Sequence, residues 1–335
     1  MGTVLKFLVS GATGFIGFHV VRELRGRGFP VEALARPASD LRSLQALGVP
    51  VRVADWGDSE AAARGLAGAH VLIHLAGLTK ARREIEFRQA NGDLVASLAN
   101  GARREGLSRF LLVSSLAAAG PGTAERPRRE TDVCEPVTAY GRSKLLGEQV
   151  LKAAAGEMPW TIVRPPVVYG PGDRDVLQMF KMADLGIVPV VGMGNRRVSV
   201  IYGPDLARHL VDLALHELAV GRTFHVAEAT HYSWTEFARE ISRAVGRRAW
   251  IMRTPSIFAA GSALGGSLMA TIRRKPSLVS WSKLPEILAA GWVADVAQAA
   301  ECLPDLGATA LPEGAAETAL WYRAQGWLAP VRAPR

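Results

Sequence analysis

Tyr140 and Lys144 stand four residues apart in Tyr140-Gly141-Arg142-Ser143-Lys144, so on a helix they share one face. A phenol near its usual pKa of ~10 is a poor base at neutral pH. An ammonium one turn away favours the phenolate. Such a pair can give a proton to a carbonyl oxygen as hydride reaches the carbon, or take one from an alcohol in reverse. The spacing alone recurs by chance, and Ser115 raises its value. It follows the apolar run Phe110–Val113, at what would be the carboxyl end of a strand, where open α/β sheets bind ligands. Its hydroxyl can steady the reacting oxygen.

Hydride chemistry needs a dinucleotide, and the N-terminal glycines make a cradle for one. Ser10-Gly11-Ala12-Thr13-Gly14-Phe15-Ile16-Gly17 follows the apolar run Val4–Val9 and opens a helix-like segment. Gly11 allows the tight turn, Gly14 lets the backbone approach a pyrophosphate, and Gly17 lets helix and strand pack closely. Thr13, Phe15 and Ile16 complete the turn. The second strand ends Leu34-Ala35-Arg36-Pro37-Ala38-Ser39 with no carboxylate at its tip. Arg36 can fork onto a 2′-phosphate while Ser39 donates to it. The expectation is NADP(H) in preference to NAD(H), which stays open. Glu32 lies inside that strand and points away from the ribose. Asp55-Trp56 ends the third strand, where an acid suits the adenine amino group or caps a turn. His74-Leu75-Ala76-Gly77 ends the fourth, beside the nicotinamide ribose and the phosphates. His74 itself reads as a packed core residue.

The elements that must position these groups alternate through the first half. Strands are expected at Val4–Val9, Val31–Ala35, Val51–Ala54, Val71–Ala76, Phe110–Val113 and Trp160–Val163, and helices at Phe15–Arg27, Asp40–Leu47, Ile85–Arg104 and Thr138–Ala155. Continuous apolar strands between amphipathic helices mean a parallel sheet covered on both faces, an α/β Rossmann-type doubly wound fold. The second half is less regular, with a helix at Asp205–Glu217, a strand at Thr223–Ala227 and a helix at Trp234–Val245. Residues 1–165 with about 200–227 are read as the dinucleotide domain, and about 166–199 with 228–330 as a smaller, interwoven substrate-binding lobe.

Composition bounds the rest. A chain of 335 residues, 49% hydrophobic, can bury a full core. Its formal charge of +9 fits a basic surface or an anionic ligand. There is no long run of like charge and no basic stripe interleaved with aromatics, which argues against nucleic acid. Cys134 and Cys302 stand far apart without a metal-ligand pattern, so neither a disulfide framework nor a metal site is expected. With no signal peptide and no apolar run of about 20 residues, the expected location is the cytoplasm. Ile257–Ile272 is apolar and rich in small residues, and Arg273, Arg274 and Lys275 follow it. The stretch 257–275 suits a cover over a hydrophobic pocket, an ordinary packed segment, or a peripheral contact with a membrane surface.

Taken together, the motifs resemble the extended short-chain dehydrogenase/reductase family, the NAD(P)-dependent epimerase/dehydratase superfamily, over nearly the whole chain. They are Gly11-x-x-Gly14-x-x-Gly17, His74-Leu75-Ala76-Gly77, Ser115, Tyr140-x-x-x-Lys144 and Arg164-Pro165-Pro166-Val167-Val168-Tyr169-Gly170-Pro171-Gly172-Asp173. The resemblance implies a seven-stranded sheet and a Ser115–Tyr140–Lys144 triad, with Asn91 as a fourth, water-relaying member. It also implies Pro165 and Val167 near the cofactor, and a homodimer through the helices around 85–104 and 138–155. The family usually has Asn-x-x-Gly on the Asn91 helix, whereas this chain reads Asn91-Gly92-Asp93-Leu94.

Three branches compete. Sugar dehydratases place Asp-Glu where this chain has Leu116-Ala117, so elimination of water is not expected. Nucleotide-sugar epimerases usually carry asparagine where Val167 stands. The third branch holds 3β-hydroxysteroid dehydrogenase-like and dihydroflavonol reductase-like enzymes. Ser114-Ser115-Leu116-Ala117-Ala118-Ala119-Gly120-Pro121, Arg36, and the tail with Gly291-Trp292-Val293-Ala294-Asp295, Trp321-Tyr322 and Gly326-Trp327 look like it. The expectation is an NADP(H)-dependent oxidoreductase interconverting a ketone or aldehyde and an alcohol. Its small-molecule substrate would be hydrophobic: steroid-, lipid- or polyketide-like. The alternatives are an NAD-dependent nucleotide-sugar epimerase and a non-catalytic dinucleotide-binding sensor or assembly protein.

Overall fold

The computed structural model describes residues 4–56, 58–191, 196–254 and 284–330; the stretch 257–275 lies outside them. Seven parallel strands form the central sheet: β1 (Phe7–Ser10), β2 (Val31–Ala35), β3 (Val51–Val53), β4 (Val71–His74), β5 (Arg109–Val113), β6 (Trp160–Arg164) and, late in the chain, a strand at Arg222–His225. Between the first six run helices α1 (Phe15–Gly26), α2 (Arg42–Ala46), α3 (Ser59–Arg64), α4 (Glu84–Arg88), α5 (Leu94–Arg104), α6 (Leu116–Ala119) and α7 (Ala139–Ala155). The chain continues through β7 (Val167–Tyr169), α8 (Leu177–Asp184), β8 (Ile187–Val191), β9 (Arg197–Tyr202) and α9 (Gly203–Leu215). Then come β10, the strand at Arg222–His225, β11 (His231–Ser233), α10 (Trp234–Ala244), β12 (Trp250–Thr254), α11 (Leu284–Leu288), α12 (Ala297–Ala300) and α13 (Leu311–Ala324).

The sheet order is β10-β6-β5-β4-β1-β2-β3. Strand alternation sorts the core into two layers. Phe7, Val9, Ile73, Leu111 and Val113 bury one face under α1 and α9, together with Val20, Leu24, Leu206 and Leu210. Leu8, Leu34, Leu72, Phe110 and Leu112 bury the other, together with Leu98 of α5 and Leu151 of α7. Both faces are covered, so the inner strands β1, β4 and β5 read as largely apolar runs, as buried parallel strands do. The doubly wound α/β expectation holds.

Smaller sheets flank this layer. β7 pairs parallel with β9, which pairs antiparallel with β11, and β8 pairs parallel with β12. A third apolar cluster lies between them, with Tyr169, Phe180, Phe237 and Tyr322 fully buried. Among the described residues no helix is long and apolar enough to cross a membrane.

Several boundaries differ from expectation. β1 begins at Phe7, and Val4 is exposed. The single helix expected over Ile85–Arg104 is three pieces: α4, a π-helical turn at Gln89–Asp93, and α5. The extra residue in that turn carries Asn91, whose side chain is tied to a neighbouring loop rather than left to the helix face.

Candidate active site

The order of the central sheet reverses between β1 and β4, and ligands of such sheets bind at that switch, outside the carboxyl ends of the strands. The β1–α1 turn sits there. Gly11 has φ +75°, and its Cα faces the Leu75–Ala76 backbone so closely that a Cβ would lie 2.7 Å from Ala76 N. A Cβ on Gly17 would lie 2.2 Å from Gly11 O, so only glycine lets α1 start this close to the strand. Gly14 caps α1 without a side-chain bond to the first-turn amides, leaving those N–H groups for an anion. Thr13 is exposed beside them. Ile16 packs on the core, and Phe15 lies against Gly203. Leu75 N donates to Ser10 O (3.0 Å). Backbone cradle, helix N-terminus and open crevice fit a dinucleotide pyrophosphate.

At the tip of β2, Arg36 is exposed, and its guanidinium lies 5.5 Å from the centre of the Trp56 ring. Arg42, the next cation, is held by Asp40 (Nη2–Oδ2 2.6 Å). Glu32 is occupied by Lys6 (2.6 Å) and Arg52. Arg36 makes no ion pair among the described residues. Ser39 N donates to Arg36 O (3.1 Å), folding the turn back over the site. Asp55 is exposed at the end of β3.

Ser115, Tyr140 and Lys144 come together. Ser115 caps α6, accepting from Ala117 N (3.2 Å), and its hydroxyl lies beside the Tyr140 phenol. Burial pushes the Tyr140 phenol up to about 12, while the Ser115 hydroxyl pulls it down. Lys144 Nζ donates to Val113 O (2.8 Å). Burial lowers its ammonium to about 8, and the Glu148 carboxylate one turn on opposes that shift. His74 is fully buried with Nδ1 2.5 Å from Ser10 Oγ, and burial, then Lys144, push it down to about 3. It is a neutral, packed imidazole.

The Lys144 shift has a measurable consequence for stability. Between about 8 and the ordinary 10.5, the unfolded chain holds a proton that the native chain does not, so stability rises with pH there. Below about 8 the cost of burying the charge is fully present. Relative to Lys144→Met, the wild type is expected to gain up to about 3 kcal/mol across that window, read by denaturant unfolding at pH 7.5 and 10.

Asn91 is buried. Its amide accepts from Leu78 N and donates to Leu78 O (both 2.9 Å) and to Ser143 Oγ (2.9 Å). Both donors are committed, which leaves one Oδ1 lone pair and the backbone carbonyl for anything else. A Cβ on Gly77 would lie 2.5 Å from Asn91 Oδ1. Pro165 O accepts from Leu116 N (2.9 Å), fixing the corner that carries Ser115.

One buried group escaped the sequence reading. Glu148 accepts from Ser114 Oγ (2.5 Å), Arg164 Nε (2.8 Å) and Arg164 Nη2 (2.6 Å). Its signal was the spacing Tyr140, Lys144, Glu148, Leu151, which continues one helix face inward. The pair ties α7 to β6 directly behind the triad. Among the described residues no cluster of His, Cys, Asp and Glu could hold a metal ion.

Ser115 opens on a cavity of about 390 Å³. Leu116, Val167, Met179, Pro189, Trp234 and Trp292 make much of its wall, and the charged residues on it, among the described residues, are Arg196 and Glu286. Arg196 Nη1 donates to Ile287 O (2.9 Å).

Comparison with known proteins agrees with this geometry. Residues 7–227 match the family described as the NAD dependent epimerase/dehydratase family. A ceramide reductase of Caulobacter vibrioides is 34% identical over 328 residues, 96% of this chain and 95% of that protein. A UDP-glucose 4-epimerase of Vibrio cholerae is 27% identical over 75% of this chain and 79% of its own. Among solved structures, the UDP-glucose 4-epimerase of Thermotoga maritima with UDP-glucose superposes with a TM-score of 0.78 at 20% identity, covering 96% of this chain and 99% of that one. At that identity it shows the fold alone.

Proposed function

Because the chain belongs to the NAD-dependent epimerase/dehydratase family and is an NAD(P)-dependent enzyme, we propose that it reduces the carbonyl of a long-chain lipid of the ceramide class, with NADP(H) as cofactor. The observation that carries the substrate is the cavity at Ser115. Its described walls are mostly apolar, and Arg196, the one arginine among the described lining residues, donates to a backbone carbonyl. A nucleoside diphosphate would need cations free to receive it. The homologous ceramide reductase, matched almost end to end, supports the same reading. The runner-up, a nucleotide-sugar epimerase, draws support from the Vibrio relative. Cofactor choice rests on Arg36, stacked on Trp56 and unpaired among the described residues, with no carboxylate at the tip of β2.

In this proposal the turn Gly11–Gly17 and the N-terminus of α1 hold the pyrophosphate, and Arg36 with Ser39 holds the 2′-phosphate. When bound, the dinucleotide supplies or accepts hydride. The substrate oxygen is placed between the Ser115 and Tyr140 hydroxyls. Tyr140 gives its proton to that oxygen, and Ser115 holds the oxygen as charge develops. The Lys144 ammonium stabilises the phenolate left behind. Asn91 keeps the Leu78 loop and Ser143 of α7 in register. The described parts of segments 166–199 and 228–330 form the lobe that receives the lipid, and its walls exclude water.

Two titrations test this. Arg36→Ala is expected to weaken NADPH binding by about 10- to 100-fold, the worth of a charge-assisted contact, and to leave NADH binding unchanged. Turnover is expected with a ceramide carrying a ketone on its long-chain base and absent with UDP-glucose. NADH bound more tightly than NADPH, together with UDP-glucose epimerisation, would sink the reading.

A further inference from the structure

We infer that the outer end of the β8–β12 pair is a docking surface for an anionic lipid bilayer. Three exposed apolar residues stand there: Leu185 is 83% exposed, Trp250 65% and Ile187 43%. Local geometry makes them one patch. Leu185 caps the C-terminus of α8. The next residue, Gly186, accepts from Trp250 N (2.8 Å), and Trp250 is in register with Ile187. Single exposed apolar residues are ordinary, whereas a contiguous group including tryptophan marks a contact surface. A tryptophan, apolar with one polar N–H, suits the headgroup boundary of a bilayer.

The charge around the patch selects the occupant. Lys181, one turn before Leu185, and Arg248, two residues before Trp250, are exposed and make no ion pair among the described residues. The nearby acid, Asp184, already faces Arg247 (3.8 Å). The patch is therefore apolar at its centre and cationic at its rim, in a chain of net charge +9, which complements anionic headgroups.

The patch is also continuous with the cavity. Val188 and Val190 point into the core, so Ile187, Pro189 and Val191 line the other face of β8. Pro189, Val190 and Val191 all touch the cavity, and Ile187 is the exposed end, about 7 Å from Pro189 and about 13 Å from Val191 along the strand. A seated bilayer would put lipid beside that apolar strip. This last step rests on the proposed lipid substrate; the docking itself does not.

The test is co-sedimentation of the full chain, without cofactor or substrate, with vesicles of phosphatidylglycerol and phosphatidylethanolamine, and with phosphatidylcholine alone. Binding to the anionic vesicles is expected, weakened by high salt and weak on phosphatidylcholine. Leu185→Asp with Trp250→Asp is expected to cut the partition coefficient at least about tenfold, and Lys181→Glu with Arg248→Glu to do likewise at low salt. All four are surface positions outside the cavity, so turnover of a short-chain, water-soluble ketone should survive in both variants. A wild type that stays in solution overturns the inference, as does binding indifferent to both variants. So does concentration-dependent self-association that Leu185→Asp abolishes, which would give the patch to a second copy. Vesicle binding with no ketone turnover sinks the reductase reading alone; turnover of micellar lipid ketone without vesicle binding sinks the docking alone.

Discussion

Tyr140→Phe is expected to lower carbonyl turnover by about 10²- to 10⁴-fold, the usual worth of a positioned proton donor, while dinucleotide binding persists. The substitution removes one oxygen and keeps the ring, which packs 6.1 Å from Phe87. What disappears is the hydroxyl beside Ser115, the group from which a substrate oxygen between them would take its proton. Ser115→Ala should cost less, because it leaves the donor in place. The wild-type pH profile carries a second signature. In reduction the phenolate forms as the proton leaves, so the rate depends on the Lys144 ammonium. That charge is lost as pH rises through about 8 in the unliganded protein, and kcat should fall on the alkaline side. Steady-state kinetics from pH 6 to 10, with a fluorescence titration of NADPH on the variant, would decide it. Unchanged turnover in Tyr140→Phe removes the phenol from the chemistry, whereas a wild type that binds the dinucleotide and turns over no carbonyl would favour the sensor reading.

The parts of the protein that were legible in the sequence are those written in local spacing. Gly11, Gly14 and Gly17 follow a strand, and Tyr140 and Lys144 share a helix face, so both halves of the site could be found from short windows. The inner strands β1, β4 and β5 were legible because a sheet covered on both faces leaves apolar runs there, whereas the edge strands β3 (Val51-Arg52-Val53) and β10 (Arg222-Thr223-Phe224-His225) carry polar residues. The three classes of miss have different causes. The π turn at Gln89–Asp93 arises from Asn91 bonding to the Leu78 backbone, a contact between segments that no helical periodicity records. The pairing of β8 with β12 joins Ile187 to Trp250 across 62 intervening positions, in a region where glycine and proline interrupt the pattern. Glu148 looked like one more charge on an amphipathic helix. Only Ser114, just past the end of β5, and Arg164 on β6 make it a buried ion, and the direction of the strand side chain depends on register.

That buried ion carries the largest expected effect on stability. Arg164 and Glu148 are 3% and 1% exposed at their side chains and share two hydrogen bonds, and Ser114 adds a third to the carboxylate. Such a pair contributes little net stability against an apolar replacement, but breaking it strands a charge. Arg164→Leu leaves the Glu148 carboxylate in the core with Ser114 and the Lys144 charge as its remaining support, and should destabilise the fold by about 3–5 kcal/mol. The double variant Arg164→Leu with Glu148→Leu removes both ions and should recover much of that loss, by urea denaturation in a double-mutant cycle. The coupling also reaches the site. Glu148 opposes the burial that lowers Lys144, so removing it should carry the Lys144 ammonium further down and move the alkaline fall of kcat to lower pH in the double variant. A double variant as unstable as Arg164→Leu would mean that packing of the arginine stem against its neighbours, rather than the stranded carboxylate, sets the cost. An alkaline limb that stays in place would detach Glu148 from the triad and leave it a purely structural tie between α7 and β6.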